Sequence, residues 1–304
     1  MPGTLQCEMP LDVRTANDAV HYGALMAPME LPSAWHLTPG GMLVLFAIAL
    51  CWIGAVRLEK SSDPHHRPWL RATGATVGLS LVLLCLDGPL LRESQNWLAW
   101  HMVSHVIVMF YVPVLLIVSG ALGLMGAALD GRRGLRSVRR VGAEVDSVVG
   151  NALFAVLLFN GVMVLWHLPA VFDWHMANMW STEWLMEPSF LLAGYLFWRL
   201  IVAGPNDAPR ARRRVQVLAV LFTAFAMLVL AMWMSIGAAA PWYAAPVNLH
   251  GTTAALRDQH YAAGVLWVCG DLWAIPALVM IVLRVVEGRG GASVLIENLV
   301  RPSS

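Results

Sequence analysis

His101 and His105 stand one helical turn apart inside the apolar run from Trp97 to Gly120. At i and i+4 both imidazoles project from one helix face. The run is long enough to cross a bilayer, where ionisable side chains are costly and mark function by default. Similar spacings recur along the chain. Met102, His105 and Met109 share a face, as do Asn160, Met163 and His167. His260, Gly264, Trp267 and Asp271 follow at intervals of four, three and four, and an isolated carboxylate as deep as Asp271 calls for a partner such as the histidines. Imidazole with thioether suits Cu(I), whereas imidazole with carboxylate suits Zn or Cu(II), so the donor set alone leaves the metal open. His101, His105, His167, His260 and Asp271 are the candidate ligands. Asp87, Glu187, Met102 and Met109 are supporting or alternate ones. The plainer reading of the same histidines is hydrogen bonding that ties helices together, and most of the sixteen methionines are packing material.

The elements that must carry these groups are all helical. With 58% hydrophobic and 13% charged residues in 304, the composition is that of a polytopic membrane protein. Apolar stretches at about 41–56, 72–90, 97–125, 148–172, 183–202, 215–238 and 261–286 predict an all-α bundle of seven transmembrane helices. Residues 1–40 then form a polar extracytoplasmic tail without the basic start and short apolar core of a signal peptide, 41–287 the membrane domain, and 288–304 a cytoplasmic tail. With the N-terminus outside, 17 of the 20 basic residues fall in inner segments, leaving Arg14, Arg92 and Arg257 outside. The positive-inside rule therefore sets the N-terminus out and the C-terminus in. His101, His105 and His167 then approach the outer surface, with Asp87 closing one helix, Glu187 in the outer half of another, and His260 opening the last.

Several functions are excluded or left without support. A net charge of +1 points to no nucleic-acid partner. Cys7, Cys51, Cys85 and Cys269 form no CxxC pair, so a thiol shuttle is not indicated. No phosphate loop, HExxH or nucleophile elbow is present, and the reading is not that of an enzyme. Lys60, the only lysine, lies in a loop, which rules out a retinal Schiff base inside the bundle. Apolar inner halves and the lack of an internal repeat argue against a metal transporter. A bis-histidine haem protein using His167 and a helix 3 ring is the alternative, as is a metal-free scaffold.

HMVSH followed by Pro113, WHLPAVFD, GYLFW and DQHYAAGVLWVCGD together resemble the CtaG-type cytochrome c oxidase assembly factor family of bacterial membranes. The resemblance runs from the first helix to the seventh. It implies a multi-pass protein of the bacterial plasma membrane that helps mature a haem-copper oxidase, handling copper at the outer face. Its expected partners are the bilayer, oxidase subunits and a copper donor protein. The resemblance carries over to His101, His105, His167, Asp258, Trp267 and Asp271. It departs at Met186 to Ser189, where the family often has histidine and this chain offers Glu187, and at Asp271, where glutamate is common.

Overall fold

The computed structural model describes residues 35–59, 67–129, 136, 140, 151–205 and 211–287, all in one compact unit that begins at Trp35. Residues 1–34 and 288–304 of the expected tails, with Cys7, Lys60, Arg132, Arg133, Arg139 and Arg210, lie outside these residues. Among those described, every regular element is helical. Helices α1 (Pro39–Glu59) and α2 (Pro68–Leu86) pair first, and the short α3 (Pro89–Asn96) follows. The histidine helix is α4 (Leu98–Val106), a π-helical turn (Ile107–Tyr111) and α5 (Val112–Ser119). Next come α6 (Ala152–His167) and α7 (Pro169–Ala177). A second π turn (Thr182–Met186) leads into α8 (Glu187–Trp198). The chain closes with α9 (Arg213–Ser235), α10 (Ala244–His250) and α11 (Thr252–Glu287).

Each of the seven expected stretches is helical, but the edges differ for identifiable reasons. Five helices are long and apolar enough to cross a membrane, and a sixth span results if the bent pair α6 and α7 is counted as one. The run expected at 148–172 turns by 68° after His167, because Pro169 disfavours helical backbone at Leu168, which is extended. Gly120, at φ 64°, ends α5 before 121–129 resume as helix. Helix α11 begins nine residues earlier than expected, so Asp258 and His260 lie within it. Large apolar side chains such as Phe46, Leu157, Leu218, Phe225 and Ile275 are exposed around the bundle, as a multi-pass membrane protein requires.

The bundle is tied at both ends by charges that complement helix termini. At one end carboxylates accept backbone N–H bonds. Asp87 holds Thr38 at 3.0 Å and Glu183 holds Gly40, both at the start of α1. Asp258 holds Leu98 and Ala99 at 2.5 and 3.1 Å, at the start of α4. Asp173 holds Ala244 and Ala245 at 3.1 and 3.0 Å, at the start of α10. At the other end arginines donate to terminal carbonyls: Arg71 to Ser119, Arg57 to Ala127 and Arg284 to Ile201. Between the ends, Phe110, Phe159, Phe197 and Trp273 form an aromatic layer with centroid spacings of 4.4 to 6.0 Å.

Candidate functional site

Helix α4 supplies the first two rings. Trp97 sits at its N-cap and has no oxygen to bond the first free N–H groups, so Asp258 caps the helix from α11. His250 stacks flat on Trp97 at 4.1 Å and bonds the Asn96 carbonyl at 2.7 Å. The start of the histidine helix is therefore fixed from two directions. Further along, Pro113 cannot donate to the Met109 carbonyl. Gly194 on α8 packs against that carbonyl, with no room for a Cβ.

Four buried imidazoles converge here. The His101 and His105 rings are 4.3 Å apart and nearly perpendicular. His167, at the end of α6, lies 5.8 Å from His105, and His175, on α7, lies 5.7 Å from His101. Each is no more than 4% exposed. Their bonding differs in a way that matters for chemistry. His167 Nδ1 donates to the Met163 carbonyl at 2.6 Å, which leaves Nε2 without a proton and in contact with Met102 Sδ at 3.1 Å, a sulfur that has none to give. His175 Nδ1 pairs with Ser181 Oγ at 2.7 Å. His101 Nε2 and both nitrogens of His105 have no protein partner. Among the described residues, no three His, Cys, Asp or Glu side chains converge closely enough to hold one metal ion.

Glu187 follows the second π turn, and its Oε1 accepts from Ser104 Oγ at 3.2 Å while its buried Oε2 is unpartnered. Phe172 and Phe190 pack on His101 and His105 at 5.1 and 4.4 Å. Tyr243 donates to the His167 carbonyl at 3.1 Å. Burial, and then the charge of Asp173, push its phenol above the ordinary range, so it stays a donor.

The other candidates from the sequence go elsewhere. Asp87 is a cap for α1, and Asp258 is a cap for α4. Met109 sits in the apolar core. His260 is exposed, since Asp258 and Gln259 take the buried side of α11 and His260 lies about 200° and 100° around the helix from them. Trp267 is 48% exposed, so the face shared by His260, Gly264 and Trp267 looks out of the bundle rather than toward the histidines. The side chain of Asp271 lies outside the described residues. His175 and Ser104 join the site without having been singled out. His175 is eight residues past His167, a spacing that would read as one helix face, but the bend at Pro169 breaks the period.

A family model described as cytochrome c oxidase caa3 assembly factor (Caa3_CtaG) matches residues 49–287. Among curated relatives, uncharacterised proteins of Mycobacterium bovis and Mycobacterium tuberculosis are each 30% identical over 198 residues, covering 62% of this chain and 29% of theirs. One from Mycobacterium leprae is 30% identical over 193 residues, covering 60% of this chain and 28% of its own. The chain thus spans less than a third of the length of these relatives. No solved structure matches.

Proposed function

Because the chain belongs to the cytochrome c oxidase caa3 assembly factor family, we propose that it helps mature a haem-copper oxidase in a bacterial plasma membrane, binding Cu(I) on its way to the enzyme. The protein acts on oxidase subunits and on copper brought by a donor protein, without catalysing a reaction of its own. The observation that carries the copper reading is the unpartnered state of three buried imidazole nitrogens, His101 Nε2 and both of His105. A buried polar atom without a partner costs about 1–3 kcal/mol, and a metal ion removes that cost.

The donor types narrow the ion. Asp87, Asp173, Asp258 and Glu183 are committed to backbone N–H groups, which leaves the imidazoles and the Met102 thioether that touches His167, with Glu187 bonded to Ser104. Soft, uncharged donors in an apolar pocket favour a monovalent soft ion over a divalent one, whose charge would be harder to bury. His101 and His105 would hold the copper, with Met102 and His167 completing the set once their mutual contact opens. The haem alternative would use the His105 and His167 rings, 5.8 Å apart, and predicts a Soret band in the purified protein, which the copper reading does not.

We further read seven spans, N-terminus out and C-terminus in. The carboxylate end is then the outer one and carries the histidines, and the arginine end is the inner one, in keeping with the basic loops. Complementing a deletion strain with a His101→Ala, His105→Ala variant tests the role. Loss of mature oxidase with normal amounts of the variant in the membrane is expected, and full rescue would leave only a scaffold.

A further inference from the structure

A narrow pocket with room for about one water-sized guest opens beside the histidines. Its lining grades from exposed to buried. Met179 is 37% exposed, Met176 is half-buried, and Met186, His175 and His101 are buried. Three thioethers and two imidazoles thus share one short cleft, brought together by the bend after His167, the end of α7 and the π turn before Glu187. The common chemistry of the methionines with the imidazoles is affinity for soft metal ions.

We propose that this cleft is the loading path of the site, along which Cu(I) passes from Met179 and Met176 at the surface to Met186 and His175, and then to His101. The inference rests on the copper reading above and adds the route and the oxidation state of the ion that takes it. Transfer proceeds by ligand exchange, each new thioether or imidazole bond forming as an earlier one breaks. Thioethers and neutral imidazoles carry no proton to release, and no electron moves. Glu187 and the Ser104 and Thr182 hydroxyls also line the cleft, but thioethers bind hard divalent ions poorly, so a methionine route suits Cu(I), with Ag(I) as its redox-inert stand-in, better than Zn(II).

The experiment loads detergent-purified full chain with chelator-buffered Cu(I) and follows the rate and the final amount bound. A Met176→Leu, Met179→Leu variant is expected to load about tenfold more slowly, to the wild-type amount. Met232→Leu, an exposed position on α9, is the control and loads at the wild-type rate. A double variant that loads as fast as wild type overturns the path while leaving the copper site standing. A wild-type protein that binds no Cu(I) overturns both. A second measurement needs no variant to fold: with ¹³C-methyl methionine, Ag(I) is expected to shift the Met176 and Met179 resonances before it saturates the site. Shifts confined to other methionines contradict the proposal.

Discussion

Replacing Met102 by leucine tests how the histidines are held. Its sulfur occupies His167 Nε2, so the variant frees that nitrogen at nearly constant volume. Stability is expected to change by less than about 1.5 kcal/mol while Cu(I) affinity falls, measured by thermal unfolding and chelator competition. Unchanged affinity would remove the thioether from the donor set. Tyr243→Phe is expected to cost about 1 kcal/mol, from the lost bond to the His167 carbonyl. At this scale the sequence was most legible for His101 and His105, since an i, i+4 pair on one helix needs no tertiary information. It misled for His260: an apolar helix in a membrane is hydrophobic on every side, so a shared face says nothing about whether that face looks inward. Asp258 entered only through the family resemblance, and its capping role was hidden because its partners, the N–H groups of Leu98 and Ala99, are about 160 residues away.

The elements position these rings through their termini and their interruptions. Asp258→Asn is expected to lower stability by about 1 kcal/mol or more, as the charge leaves the first turn of the histidine helix. Asp258→Ala costs more, since both N–H groups lose their acceptor. Hydrogen exchange should show the first turn of α4 opening in both, and protection unchanged from wild type would contradict the capping role. Gly194→Ala drives a methyl into the Met109 carbonyl and is expected to cost about 1–3 kcal/mol, read from denaturation in detergent. The helical stretches were readable from hydropathy, and Pro113, Pro169 and Gly120 sit where helices are interrupted. What could not be read was the result of each interruption. A 68° turn after His167 brings His175 to His101, and a π turn before Glu187 sets that carboxylate on Ser104.

Among the described residues, the carboxylates that cap helices gather at one end of the bundle and the arginines that meet terminal carbonyls at the other, and the histidines lie near the capping carboxylates. The proposed topology puts the first end outside. In a Cys7→Ser background, cysteines placed singly at Trp35 and at Arg140 should be labelled by a membrane-impermeant reagent in intact cells at the first position and not at the second. The reverse pattern would invert the topology and put the site on the wrong side for copper from outside. The most direct measurement of the central claim is copper content with X-ray absorption at the copper edge, on wild type and on the His101→Ala, His105→Ala variant. The account predicts about one Cu(I) per chain, bound through imidazole nitrogen and thioether sulfur, and lost in the variant. Equal copper in both proteins would contradict it.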